Sequence, residues 1–432
     1  MLAILGFTMV ITFMYLIMSG KLYALTALIL IPILFALIGG FGTTIGPMML
    51  NGVKAIAPTG IMLIFAILYF SIITDAGLFD PLIKRILHLV KGDPLKVTIG
   101  TAVLALCVSL DGDGATTYII VVTAMLPLYK KLGIDPLILT AMCMLAGGIM
   151  NILPWGGPTA RTITSLNLEP AQVFTPLIPV MIFGALWVLF VAWHLGKKER
   201  KRLGIIDLKH QQSIENSIGT ENKNTSRPQL LWVNLILTIL LMISLVMNIL
   251  PLAVLFMIAF CLALIINYPK LTEQRERISK HAANALSVAS MVFAAGIFTG
   301  ILTGTKMVDA MAGSLVALVP HSLGPNFPLI TGLTSMPFTF FMNNDSYYFG
   351  ILPVLSKAAA SFDISSAEMA RASLLGQPVH LLSPLVPSTY LLTGMAGVDF
   401  GRHQRFTLKW AIGTVLVMLL FCILTGSVVV RM

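Results

Sequence analysis

Apolar runs long enough, or nearly long enough, to cross a bilayer follow one another along almost the whole chain. That succession limits the fold before any motif is considered. The runs are residues 2–18, 22–38, 58–73, 137–150 with a continuation to 166, 173–195, 231–249, 252–267, 283–302, 367–382 with a continuation to 392, and 406–430. In hydrocarbon every backbone N–H and C=O must be satisfied inside the segment, which selects helices. At roughly 20 residues per crossing the runs predict about ten transmembrane helices. Charged residues make up 11% of the chain and hydrophobic residues 57%, whereas a soluble domain carries about 25% charged residues. The expected fold class is an all-α polytopic membrane protein.

Two polar stretches break this pattern. Leu110-Asp111-Gly112-Asp113-Gly114-Ala115-Thr116-Thr117-Tyr118 lies between apolar runs too short to cross, and Phe341-Met342-Asn343-Asn344-Asp345-Ser346-Tyr347-Tyr348 lies in a similar setting. An ionisable residue at membrane depth costs about 3 kcal/mol or more unless it is paired, hydrated or metal-bound. Both stretches read as tips of re-entrant hairpins, spanning 97–128 and 327–356. With both hairpins re-entrant and both termini outside, most Lys and Arg residues fall on one side, which the positive-inside rule makes cytoplasmic. The first hairpin is then cytoplasmic-side and the second outer-side. The polar segment 196–229 becomes a cytoplasmic linker with no core of its own. Segments 84–96 and 270–280 read as interfacial amphipathic helices. The net charge of +10 therefore reflects orientation in the membrane, and nucleic acid is not an expected partner. Cys107, Cys143, Cys261 and Cys422 lie in apolar runs and read as packing residues. The first run has no basic n-region and no cleavage site, so it is expected to be a retained helix.

The chain repeats itself. Asp80 answers Asp309, Asp113 answers the Asn343–Asp345 cluster, Tyr118 answers Tyr348 and Pro154 answers Pro384, at offsets of about 229–232. Residues 1–195 and 230–432 each hold five crossings, and an odd number inverts the second half. Inverted repeats with interrupted helices mark a secondary transporter whose site lies near the midplane. The interruptions are the two tips and two breaks, Asn151-Ile152-Leu153-Pro154-Trp155-Gly156-Gly157-Pro158-Thr159 and His380-Leu381-Leu382-Ser383-Pro384-Leu385-Val386-Pro387-Ser388-Thr389. Half-helix N-termini suit anions, and carboxylates and carbonyls suit hard cations. Asp111, Asp113 and Asp345 are cation ligands, proton carriers or helix caps. Thr116, Thr117, Asn343, Asn344 and Ser346 are neutral partners for ligand carboxylates. Arg161 is either a bidentate carboxylate clamp or an interfacial arginine that snorkels. For His380 a satisfied structural role outweighs a proton or metal role. Trp155 is a stacking wall or packs against the glycines, and Asp75 and Asp80 read as caps. Gly147-Gly148 and Gly156-Gly157 lack the lysine and the strand–helix context of a phosphate loop and read as close-packing sites.

The first tip and the Asn151–Thr159 break, together with Lys91-Gly92-Asp93-Pro94-Leu95-Lys96 and the second tip, resemble the citrate–divalent-metal/proton symporters (the CitMHS family) of the ion transporter superfamily. The resemblance covers essentially the whole chain. It implies uptake of a citrate–metal complex driven by protons, a dimeric elevator-type architecture and no enzymatic activity. It implies no resident cofactor, the divalent cation (Mg or Ca type) being co-transported. By matching the motifs, it places the substrate at Asp111, Asp113, Thr116, Thr117, Asn343, Asn344, Asp345 and Ser346, with Asn151, Gly156, Gly157, Thr159, Ser383, Ser388 and Thr389 from the breaks. The metal would meet Asp111, Asp113 and Asp345 through the complex. Sodium-coupled dicarboxylate relatives carry Ser-Asn-Thr at each tip, whereas this chain carries Asp-Gly-Asp-Gly and Asn-Asn-Asp-Ser. A sodium-coupled di- or tricarboxylate symporter is the alternative reading. More distant rivals are an intramembrane aspartyl protease using Asp113 and Asp345, and a metal channel.

Overall fold

The computed structural model describes residues 1–19, 21–90, 92–112, 114–205, 226–247, 249–318 and 323–431. Among the described residues the regular structure is entirely helical. The first half comprises α1 (Leu2–Met18), α2 (Ala24–Ile38), α3 (Ile45–Asp75), α4 (Asp80–Val90), α5 (Pro94–Val108), α6 (Gly114–Leu132), α7 (Pro136–Met150), α8 (Gly157–Leu166) and α9 (Pro170–Leu203). The second comprises α10 (Leu231–Val246), α11 (Leu252–Asn267), α12 (Leu271–Gly304), α13 (Met307–Leu318), α14 (Phe327–Phe341), a π-helical turn Ser346–Ile351, α15 (Leu352–Ala359), α16 (Ser366–Leu374), α17 (Gln377–His380), α18 (Pro387–Ala396) and α19 (Phe400–Leu424).

Among the described residues six segments are long and apolar enough to cross a membrane unaided: Ile45–Asp75, Pro94–Asp111, Pro170–Leu203, Pro228–Leu245, Leu271–Gly304 and Phe400–Leu424. Their outward faces carry side chains that only an apolar environment would cover, such as Ile182, Leu186 and Phe190 on α9 and Trp232, Ile236 and Leu240 on α10. Helices are interrupted at the four polar stretches. α5 and α6 flank the first tip, α14 and α15 the second, α7 and α8 the first break, and α17 and α18 the second.

Several boundaries differ from expectation, each for a local reason. Run 58–73 is the interior of α3, which starts at Ile45 and spans 31 residues. Segment 270–280 is not a separate interfacial helix. It is the first part of α12, 34 residues long, because no Gly or Pro stands between Lys280 and Ala283 to stop it. The first arm of the first hairpin is longer than its apolar run, because Asp93 caps α5 with a 3.0 Å bond from the Leu95 N–H. The linker starts later than its composition implied. α9 continues to Leu203, with Arg200, Lys201 and Arg202 in its last turn, where cations meet the negative end of the helix dipole. The rest of that segment, 206–225, lies outside the described residues, as does Asp113. Segment 84–96 splits into an amphipathic α4, with Ile83, Ile86, Leu87 and Val90 buried, and the start of α5.

Local geometry recurs at a spacing of about 230 residues. The Thr159 hydroxyl bridges the first break to the Asn151 carbonyl at 3.3 Å, and the Thr389 hydroxyl bridges the second to the Leu381 carbonyl at 2.6 Å. Left-handed residues end corresponding helices, Gly133 with Asp363 and Asn167 with Gly397.

Two packing units emerge. In one, α3 lies along α12, with α1, α2, α10 and α11 around them. In the other, α5–α9 pack with α14–α19. The α3–α12 crossing is a backbone contact. A Cβ on Gly52 would sit 1.9 Å from the Gly296 carbonyl oxygen, and one on Gly300 2.4 Å from the Met48 carbonyl oxygen. Such small-residue notches let helices approach closely where lipid supplies no hydrophobic drive. Gly52→Ala is expected to force the pair apart and destabilise the protein by about 1–3 kcal/mol, the usual range for overpacking. Gly46→Ala on the same helix, with nothing within 4 Å of its added Cβ, is the matched control. Thermal unfolding of the two variants in detergent checks this, and an equally stable Gly52→Ala protein would contradict it.

Candidate functional site

The first tip is a sharp turn. α5 ends in a 3₁₀ turn over Ser109–Asp111, and Gly112 follows with φ of 77°. That conformation suits glycine, and the space also demands it, since a Cβ there would lie 2.8 Å from Trp155 Cδ1. The Trp155 indole N–H donates to the Leu110 carbonyl at 2.9 Å. Its ring stacks on Phe70 of α3 at 5.1 Å and meets Phe256 of α11 edge-on at 5.2 Å. Trp155 is thus a strut that joins the first break, the first tip and the scaffold. Asp111 is buried and faces a cavity of about 220 Å³ that Thr116, Trp155, Gly157 and the α3–α12 wall also line.

At the second tip three consecutive side chains are tied, those of Asn343, Asn344 and Asp345. The Asn343 side-chain oxygen accepts the Ser346 N–H at 2.8 Å, a cap on the π turn. The Asn344 side-chain oxygen accepts from Gln377 Nε2 at 3.2 Å. Asp345 Oδ1 accepts from Arg161 Nε at 2.6 Å, and Arg161 Nη1 reaches the Gly157 carbonyl at 3.0 Å. Arg161 therefore does not snorkel outward. It crosses from the first half to the second and borders a smaller cavity of about 80 Å³ with Gly157 and Ala160.

The breaks look after themselves. Besides the Thr159 and Thr389 bridges, Ser383 Oγ accepts the Leu385 N–H at 3.2 Å. Gly156 is required because a Cβ would lie 2.2 Å from the Asn151 carbonyl oxygen. Each tip meets the broken helix of the other half. α8 packs on the π turn and α18 on α6, and Ser388 Oγ lies 3.7 Å from where a Cβ of Gly114 would stand. The described parts of the four polar stretches are thereby gathered in one region.

The polar groups left over are informative. Ser109 Oγ, Thr117 Oγ1, Ser346 Oγ and Gln377 Oε1 are buried without a hydrogen-bond partner among the described residues. An unmet buried group costs about 1–3 kcal/mol, so groups kept in that state beside the tips are groups a ligand can satisfy. His380, in contrast, is satisfied, with Nδ1 2.6 Å from the Thr339 carbonyl oxygen. Asp75 is not a cap. It accepts from Arg277 at 3.1 Å, Lys280 at 3.0 Å and His281 at 2.8 Å, and it lines the larger cavity with His281 and Asn284. Sequence reasoning missed that cluster and Gln377. The available signal for the cluster was the i, i+3, i+4 spacing of Arg277, Lys280 and His281, which puts them on one helix face. Among the described residues no three His, Cys, Asp or Glu side chains gather into a metal cage.

Residues 5–376 match the family model described as citrate transporter, CitMHS. The chain belongs to the citrate transporter family. It is 63% identical to a Bacillus subtilis (strain 168) protein named "Citrate transporter", over 99% of this chain and 100% of that one. It is 53% identical to the "Mg(2+)/citrate complex secondary transporter" of the same organism, over 99% of each chain. The fold is shared with solved transporters. These include YdaH of Alcanivorax borkumensis, with TM-score 0.56, 13% identity and 88% of each chain covered. Another is MtrF of Neisseria gonorrhoeae, with TM-score 0.61, 14% identity, 92% of this chain and 87% of that one. This member of the family is a citrate transporter and a multi-pass membrane protein, not an enzyme.

For this citrate transporter the Arg161–Asp345 pair is open to a double-mutant cycle. Arg161→Ala leaves a largely buried carboxylate unpaired, and Asp345→Asn in that background removes the charge again. The coupling expected from unfolding measurements is about 0.5–3 kcal/mol, the range for contacting residues. Strictly additive effects would show that the pair does not act as one.

Proposed function

We propose that the protein imports citrate as a complex with a divalent metal, in symport with protons. The observation that carries this reading is the Arg161–Asp345 pair, which ties the first broken helix to the second tip, together with buried Thr117 and Ser346 hydroxyls that have no partner among the described residues. The acids suit the cation of the complex, and Arg161 and the hydroxyls suit its carboxylates. The name of the Mg(2+)/citrate relative supports the metal.

Charge explains why a complex is preferred as cargo. Citrate is a trianion at neutral pH, and one divalent cation reduces it to a single negative charge. Each co-transported proton offsets one charge more, so two or more protons make the loaded step electrogenic inward. The membrane potential then contributes about 2.3 kcal/mol per charge per 100 mV. In this reading Asp111 and Asp113 face the metal or carry the proton. Arg161 exchanges Asp345 for a substrate carboxylate, which frees Asp345 to take a cation or a proton. Residues 1–195 and 230–432 act as inverted repeats, the unit of hairpins and broken helices moves as an elevator against α1–α3 and α10–α12, and two copies assemble through that scaffold. The protein sits in the cell membrane with both termini outside and the linker in the cytoplasm.

Citrate uptake into proteoliposomes is expected to rise with added divalent metal, to stop on chelation, to collapse with a protonophore and to ignore sodium. Uptake that needs sodium and not metal would favour the sodium-coupled class instead. Thr117→Val and Ser346→Ala are each expected to lower kcat/KM for the complex by about 10–100-fold, the equivalent of one hydrogen bond to a charged group. Wild-type kinetics in both variants would remove these hydroxyls from the site.

A further inference from the structure

The two halves match closely in the bonds that close their breaks, so the places where they differ in polar residues stand out. Arg161 has Leu391 at the corresponding position of the second half, and Gln377 has Gly147 at the corresponding position of the first. Both unmatched side chains reach the same tip, at adjacent residues. Arg161 bonds Asp345 and Gln377 bonds Asn344. A ligand with unlike ends gains from such asymmetry, because identical subsites would read it equally in either direction.

Gln377 is fully buried, and its amide is fixed in place. Both Nε2 hydrogens are committed, one to the Asn344 side-chain oxygen at 3.2 Å and the other to the Tyr348 hydroxyl at 2.7 Å. The Tyr348 hydroxyl in turn points its own hydrogen at the Ser373 carbonyl, 3.4 Å away. At the corresponding position of the first half the Tyr118 hydroxyl meets the Met144 sulfur, at 3.8 Å. With the amide held by its nitrogen, the Oε1 carbonyl cannot turn to find a donor, and it has no partner among the described residues. A carbonyl is an acceptor only. Ionised carboxylates offer it no hydrogen, and a metal ion would take it as a direct ligand, a contact that would serve every metal–tricarboxylate complex alike. The hydroxyl on the central carbon of citrate offers a hydrogen, and coordination of that oxygen to a metal leaves the hydrogen in place and makes it a better donor.

We infer that Gln377 is a specificity-determining residue that reads the substrate hydroxyl through its side-chain carbonyl and so separates hydroxylated tricarboxylates from those without a hydroxyl. The inference rests on the reading that the tips hold citrate. A site built around a hydrogen bond to a substrate hydroxyl rejects the analogue lacking it strongly, since its own polar group is then left unmet.

The test uses the full chain in proteoliposomes at saturating Mg²⁺, with citrate and tricarballylate, which has the same three carboxylates and a hydrogen in place of the hydroxyl. Wild-type kcat/KM is expected to favour citrate by about a hundredfold or more. Gln377→Met, similar in length and without the acceptor, is expected to remove most of that preference, chiefly by lowering kcat/KM for citrate. Equal wild-type use of the two compounds would overturn the inference without any variant. So would a Gln377→Met protein that loses both substrates by the same factor, the result of a packing role or of contact with metal-bound water. Ser346→Ala run alongside keeps the two readings apart. If it leaves citrate uptake intact, the tip site itself is wrong. If it lowers uptake while Gln377→Met leaves the preference unchanged, only the role of Gln377 fails.

Discussion

The ion pair between Arg161 and Asp345 is the contact on which the arrangement of the site depends. Arg161 is the only Lys or Arg between Lys131 and Lys197. At membrane depth its charge would cost several kcal/mol alone. The pair resolves that cost with a bond across the two halves, from the start of α8 to the second hairpin tip. It also orients the tip. With Asp345 held by Arg161 and Asn344 by Gln377, the backbone at the π turn has little freedom, and the Ser346 hydroxyl is kept inside without a partner. A buried pair is a weak source of stability, because desolvation offsets the attraction. Its value here is positional: it places a charge that can change partner at the junction of the halves.

A division of labour runs through the polar groups. Those at the breaks are consumed locally. The Thr159 and Thr389 hydroxyls each return to a carbonyl eight residues back in the chain, across the gap where the helix loses its own bonds. Ser383 caps its turn, and His380 is spent on Thr339. Those at the tips are partly unspent. The breaks therefore hold the site's shape, and the tips hold its chemistry. Trp155 is the exception, a break residue used for fixing a tip, through the Leu110 carbonyl and the glycine beneath its ring.

How far the sequence could be read depended on whether the signal was local. The four helix interruptions were legible because acids, glycines and prolines inside apolar runs are costly and leave few structural solutions. The hairpin ends shifted by a few residues because caps such as Asp93 lie beyond the apolar runs. Helix lengths were less legible where a helix continues into water. α12 passes from lipid-length apolar sequence into a charged turn without a breaker, and composition alone suggested two elements where there is one. Pairings across the chain were not legible. Arg161 was open between clamp and snorkel because its partner lies in the other half. Asp75 looked like a helix-end cap because its three donors come from α12. Gln377 gave no signal, since a lone glutamine near a helix start is ordinary until Asn344 and Tyr348 are found beside it.

The notch between α3 and α12 has a consequence for how this protein tolerates change over generations. Where side chains separate two helices, a substitution on one can be answered by a substitution on the other, and the pair drifts together. At Gly52 and Gly300 the nearest neighbours are backbone atoms, and backbone has no alternative size to offer. No second-site change nearby can make room for a methyl group there. These positions are closed to compensated drift, while the lipid-facing surfaces of α9 and α10 admit almost any exchange among apolar residues. The most monotonous part of the molecule is thus its least negotiable.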